Sequence, residues 1–168
     1  DSLKMQSCAP SLIASSANSS QPVEPIAMIG MSELTALILE ITETELMEDI
    51  RSATNLCNEL ADLGVGLAID DFGTGYSSLS YLQEYPIDIL KIDRSFVWKL
   101  EHSSELPMCK AIITLAHSLN LSVIAEGVET QQQLDTLQAL DCNAIQGYLL
   151  SRPLPEFDFL EWLAKNNK

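Results

Sequence analysis

An α/β fold in which about five parallel strands are joined by crossover helices is what the sequence predicts, and three observations carry that expectation. From Ala36 onward, short apolar runs alternate with stretches of helical periodicity. The stretch between the first two runs places Leu46, Met47, Ile50, Ala53, Leu56, Cys57, Leu60 and Leu63 at helical spacing, with Gly64 where a helix should stop. Acidic residues close one apolar run after another, and in a parallel sheet those ends converge on one face, where active sites are built.

The elements follow in order. The segment Ser15 to Glu24 is rich in Ser, Asn, Gln and Pro without periodicity and reads as a loop or flexible connection. Strands are expected at Ala36 to Ile41, Val65 to Asp70, Ile87 to Ile92, Ser122 to Glu126 and Asn143 to Tyr148. After the helix that Gly64 ends, further helices are expected at Ser78 to Glu84, Glu105 to Leu119, Gln131 to Leu140 and Glu156 to Lys165, with Pro86 and Pro155 as punctuation. No repeat stands out beyond the strand and helix alternation.

Composition narrows the function. The 168 residues suit one domain with a real core, 46% of them being hydrophobic and 20% charged. Nine Lys and Arg against 24 Asp and Glu give a formal charge of -15, a field that repels phosphodiester backbones unless cations intervene. Bulk nucleic-acid or anionic-membrane binding is disfavoured. Cys8, Cys57, Cys109 and Cys142 are widely spaced, without a CxxC or a nearby His pair, which argues against zinc and for buried thiols in a reducing, cytoplasmic setting. No apolar run approaches the roughly 20 residues of a membrane-spanning helix. The N-terminus shows neither an initiator Met nor a signal-peptide pattern, and starting at Asp1 suggests a piece of a longer protein.

The chemistry is expected at the strand ends: Glu40 and Glu43, Asp70 and Asp71, Lys91 and Asp93, Glu126 and Glu129. Several carboxylates aimed at one rim repel each other unless a cation joins them. Hard oxygen donors favour Mg²⁺ or Mn²⁺, and Asp70 and Asp71 could bridge two ions about 3.5–4 Å apart, a geometry suited to phosphodiester hydrolysis with Lys91 neutralising developing charge. The loop Phe72, Gly73, Thr74, Gly75 continues into Tyr76, Ser77 and Ser78; it lacks the Walker lysine and the GxGxxG spacing, so a nucleoside-triphosphate site has little support. His102 and His117 lie outside every motif, and surface or helix-packing roles suit them.

The strings LEITE at Leu39 to Glu43, DDFGTGYSSL at Asp70 to Leu79, KIDRSFV at Lys91 to Val97, EGVET at Glu126 to Thr130 and QGYLLSRPLP at Gln146 to Pro155 resemble, in order and spacing, the EAL domains. The resemblance implies a modified TIM-barrel fold, here incomplete, that hydrolyses cyclic-di-GMP to linear pGpG with two Mg²⁺ or Mn²⁺ ions. It makes Glu40, Asp70 and Asp71 metal ligands and assigns Lys91, Glu126 and Gln146 to catalysis. Lys91 would contact the attacking water or phosphate, Glu126 would orient or deprotonate that water, and Gln146 would hydrogen-bond near it. Glu43 would steady the DFGTG loop, Glu129 would support the site from its turn, and Asp93 would stand behind the ligands.

The resemblance divides the chain into a poorly matched segment, residues 1–33, read as a remnant strand and a flexible loop, and the C-terminal part of an EAL domain, residues 34–168. The namesake Glu-Ala-Leu string, whose Glu is a metal ligand in the family, does not occur in these 168 residues. Gln6 falls where the family has an Asn ligand and would be a degenerate one. An active phosphodiesterase, a non-catalytic cyclic-di-GMP receptor or interaction module, and a purely structural piece all fit. Strands Ala36 to Ile41 and Asn143 to Tyr148 are expected as open edges, which predicts a homodimer or larger assembly.

Overall fold

A computed structural model of the chain describes residues 12–13, 26–28, 37–43, 46, 50–73, 82–102 and 106–166. The five expected strands form as β3 (Leu37–Thr42), β4 (Gly66–Phe72), β5 (Ile89–Ile92), β6 (Ser122–Ala125) and β7 (Ala144–Gln146), and two further short strands precede them, β1 (Leu12–Ile13) and β2 (Ile26–Met28). The sheet order is β1-β3-β4-β5-β6-β7-β2, parallel from β1 through β7, with β2 antiparallel to β7.

This corrects the expected edges. Leu12 pairs with Leu37 and Ile13 with Ile38, while Ile26 to Met28 lie against Ala144 to Gln146, so the start of β3 and the whole of β7 are covered. The physical reason is that an edge carries unpaired N–H and C=O groups, and short apolar runs before Leu34 supply partners for them. Gln6, Ser15 to Glu24 and most of the expected helix Ser78 to Glu84 lie outside the described residues.

Helices lie between parallel strands and after the last of them. They are α1 (Ile50–Asp62), α2 (Arg94–Trp98, continued by a 3₁₀ turn over Lys99–His102), α3 (Leu106–Ser118), α4 (Gln131–Ala139) and α5 (Glu156–Asn166). Gly64, at φ +79°, follows α1 in the left-handed conformation that ends a helix. The α2 turn is absent from the sequence expectation because Arg94–Trp98 is too short to show a period; Asp93 starts it by accepting from Ser95 N at 2.9 Å. Thr130 and Gln133 form a reciprocal capping box at the start of α4.

The alternation of strand side chains divides the sheet into two chemically different faces. Leu67, Ile69, Leu90, Ile92, Val123, Ala125 and Ile145 pack outward on helix residues such as Val97, Ile112, Ile113, Ala116 and Leu137. The other face holds one buried apolar residue per strand, Ile38, Ala68, Ile89, Ile124 and Ala144. Two residues further along each strand, the same face carries Glu40, Asp70, Lys91, Glu126 and Gln146. The polar layer therefore sits one pleat above an apolar floor, at the C-terminal ends of the strands. Cys57, Cys109 and Cys142 are buried free thiols, as expected, and Cys8 lies outside the described residues.

Candidate active site

Glu40 enters the site from β3, Asp70 from β4 and Lys91 from β5, each in the last turn of pleat before its strand ends. A bulge in β4 adds Asp71. Ile69 is opposite Leu90 and Phe72 opposite Ile92, so Asp70 and Asp71 together oppose the single residue Lys91. In a regular strand the two carboxylates would point to opposite faces. Here Asp71 takes φ 54°, its N–H donates to Asp70 Oδ1 at 3.0 Å, and both acids stay at the rim.

Lys91 is the cation at the centre. Its Nζ lies 2.7 Å from Glu40 Oε1, 3.2 Å from Asp70 Oδ1 and 2.5 Å from Glu126 Oε1, and its side chain is only 3% exposed. Burial by itself would lower the pKa of this ammonium; Glu126, Glu40 and Asp70 outweigh that and hold it protonated well above the ordinary lysine range. Burial pushes the Glu126 carboxyl up to about 7 even though Lys91 pulls the other way. Asp71 is also raised, by lost hydration and then by its neighbours Asp70 and Asp93, with Lys91 and Arg94 opposing.

The charge balance explains these directions. Three carboxylates, Glu40, Asp70 and Glu126, share the ammonium of Lys91 and Asp71 stands beside them, so the cluster is short of positive charge and favours taking up protons or a cation. Asp70, Asp71 and Glu126 each offer an oxygen within 4.8 Å of the others. An all-oxygen donor set of net negative charge fits a hard divalent cation, and no His or Cys joins it among the described residues. Glu126, expected as a catalytic residue, lies within reach of Asp70 and Asp71, and both it and Glu40 pair with Lys91.

Supporting residues occupy distinct places. Glu43 is buried and its Oε2 accepts from Gly73 N at 3.2 Å, which ties the end of β3 to the loop after β4. Phe72 is buried and Gly73, at φ +96°, lies so close to Phe96 that a Cβ there would meet Cε2 at 3.0 Å. Thr74 and Gly75 lie outside the described residues. Asp93 caps α2 and acts on Asp71 through its field. Glu129 is exposed, with its N–H donating to Gln133 Oε1 at 2.8 Å. Gln146 O accepts from Val128 N at 3.1 Å, so β7 holds the turn that begins at Glu126. His117 Nε2 lies 3.0 Å from Asn143 Oδ1, a helix-packing contact apart from the site.

Arg94 and Arg152 went unremarked in the sequence. Arg94 lies over the Trp98 ring at 5.2 Å and Arg152 over the Tyr148 ring at 4.9 Å, each just beyond a strand end that borders the site. An arginine one position after KID and another within SRP were the available signals.

This architecture and acidic centre define a class of protein. Residues 20–153 match the family profile described as "EAL domain", and the chain belongs to that family. It is 52% identical over 120 residues to cyclic di-GMP phosphodiesterase NbdA of Pseudomonas aeruginosa, covering 71% of this chain and 15% of NbdA. It is 47% identical over 133 residues to the same organism's bifunctional diguanylate cyclase/cyclic di-GMP phosphodiesterase MucR, covering 79% of this chain and 19% of MucR. The solved c-di-GMP complex of the MucR phosphodiesterase superposes with a TM-score of 0.72, covering 74% of this chain and 51% of that one. The manganese/cy-diGMP complex of Klebsiella pneumoniae BlrP1 is 34% identical with a TM-score of 0.65, covering 71% of this chain and 31% of that one. The chain spans less than a fifth of the length of the two curated relatives. Its α/β architecture is that of the TIM-barrel-like EAL domains.

Proposed function

We propose that this domain is a metal-dependent phosphodiesterase that hydrolyses cyclic-di-GMP to linear pGpG. The observation that carries the reading is the polar layer itself, in which three carboxylates converge on one buried lysine, a fourth, Asp71, lies beside them, and the group remains short of positive charge. The relatives named for this activity and the neighbours holding cyclic-di-GMP support the substrate.

Glu40, Asp70 and Asp71 are the proposed ligands of two Mg²⁺ or Mn²⁺ ions, with Glu126 close enough to share an oxygen. Bound there, the ions would supply the charge that draws in an anionic substrate and makes water nucleophilic near neutral pH. Lys91 neutralises charge building on the phosphoryl oxygens. Glu126 takes one proton of the attacking water as that water's oxygen bonds to phosphorus, and the 3′ oxygen leaves with a proton taken from solvent water. Gln146 holds a hydrogen bond beside the attacking water. Glu43, Asp93 and Glu129 support the ligands, Phe72 and Gly73 shape the loop, and Gln6, Thr74 and Gly75 keep the roles that the sequence resemblance implies. Residues 34–168 constitute the C-terminal part of the domain.

No helix among the described residues is long and apolar enough to cross a membrane, and a cytoplasmic setting accords with the free thiols. A homodimer is proposed because, among the described residues, β1 pairs with only Leu37 and Ile38 of the six-residue strand β3. Light scattering at micromolar concentration tests this, and a monomer there removes it.

Incubating the chain with cyclic-di-GMP and Mn²⁺ should yield pGpG. A second reading, a cyclic-di-GMP receptor without turnover, is separated by the same experiment. Tight binding with no product selects the receptor, and neither binding nor product rejects both.

A further inference from the structure

Among the described residues, three polar or charged side chains are buried: Lys91, Glu43 and Gln133. Lys91 is the centre of the acidic cluster, and Glu43 holds the loop after β4 by accepting from Gly73 N. Gln133, in the first turn of α4 and only 3% exposed, does the same for the turn after β6. Its Oε1 accepts from Thr130 N at 3.1 Å and from Glu129 N at 2.8 Å, and its own backbone N–H donates to Thr130 Oγ1 at 3.2 Å. The capping box accounts for the two bonds with Thr130. The shorter bond, to Glu129 N, lies outside the helix and grips the turn itself.

That turn carries Glu126. Glu126 follows β6, and its N–H still donates to Ile92 O of β5 at 3.1 Å. Gly127, at φ +66°, then swings the chain out of the strand, and a Cβ there would meet Arg94 Cβ at 2.5 Å, so the pivot has to be glycine. Val128 is buried and held to the β7 segment, donating to Gln146 O at 3.1 Å and accepting from Leu149 N at 2.9 Å. The next two N–H groups, of Glu129 and Thr130, go to the Gln133 carbonyl. The stretch from Glu126 to Thr130 is therefore held by β5 at one end, by β7 in the middle and by one buried side chain of α4 at the other end. Glu126 Oε1 meets Lys91 Nζ at 2.5 Å, a short contact that a shift of the turn about Gly127 would lengthen.

We infer that Gln133 is a positioning residue for Glu126, acting through the Glu129 N–H rather than as a helix cap alone. For its effect on turnover the inference rests on the phosphodiesterase reading; for its effect on the turn it does not. Gln133→Met keeps length and bulk and removes the acceptor, Gln133→Glu keeps an acceptor, and Thr130→Ala removes the partner of Gln133 N but leaves the bond to Glu129. With cyclic-di-GMP and saturating Mn²⁺, Gln133→Met should lower kcat by about tenfold to 100-fold with KM changed less than about threefold. Gln133→Glu should restore kcat, and Thr130→Ala should keep it within about twofold although the helix loses a cap. Loss of kcat in step with stability in both the Met and Ala variants, or loss in neither, overturns the inference and leaves Gln133 a cap. Should Gln133→Met not fold, Gln133→Ala takes its place. A second measurement needs no turnover: in chelator, the drop in unfolding midpoint caused by Gln133→Met should be roughly halved in a Glu126→Gln background, where the ion pair that it disturbs is already gone. Additive drops overturn the inference even if the unaltered chain is inactive. An inactive chain with non-additive drops overturns the functional reading and supports the positioning.

Discussion

The Gly73 N–H donates to Glu43 Oε2 at 3.2 Å, joining the end of β3 to the loop that follows the Asp70–Asp71 bulge. The carboxylate is buried, so the bond is the anchor that holds the loop to a neighbouring strand. Replacing Glu43 with Ala should cost about 1–3 kcal/mol in denaturant unfolding and weaken Mn²⁺ binding in calorimetry. Glu43→Gln keeps an acceptor and should be milder. Equal metal binding in the alanine variant would separate the loop from the metal site.

Asp70→Asn and Asp71→Asn each remove a charged oxygen from the rim. Turnover should drop by more than about 100-fold, beyond what losing a partner of a ligand normally costs, while far-ultraviolet circular dichroism stays unchanged. Undiminished turnover at saturating Mn²⁺ in either variant takes the metal pair out of the mechanism.

Lys91→Met leaves Glu40, Asp70 and Glu126 facing each other without their shared cation. Without metal the variant should lose about 3–5 kcal/mol of stability, the cost typical of stripping one partner from a buried pair. Mn²⁺ should restore more stability to it than to the unaltered chain, because a divalent ion relieves the same repulsion. No difference in the Mn²⁺ response would show that Lys91 and the metal do not serve one cluster.

The raised Glu126 carboxyl makes metal-free stability depend on pH. Folding moves it from the ordinary 4.5 to about 7, so between those values the folded state binds more protons than the unfolded one. Its contribution is fully present below pH 4.5 and is lost as pH rises through about 7. Lys91, whose pKa is raised, stays charged across this window. Thermal melts from pH 5 to pH 8 in chelator should show the decline, and Glu126→Gln should flatten it. A slope unchanged by that substitution places the titration elsewhere.

Much of this protein was determined by its sequence. Strand and helix positions follow from periods of two and about 3.6 residues, which are local properties, and so Glu40, Asp70, Lys91, Glu126 and Gln146 could be placed at strand ends from the string alone. The tertiary structure decided what those residues do to one another. That Asp70 and Asp71 both reach the rim depends on a bulge against β5, and no pattern within β4 announces it. That Lys91 is shared by three carboxylates, and that Glu126 stands among the candidate ligands, depends on register between strands separated by dozens of residues. The covering of β3 by Leu12–Ile13 and of β7 by Ile26–Met28 was illegible for the same reason: runs of two or three residues have no periodicity of their own, and only pairing with a distant strand makes them strands.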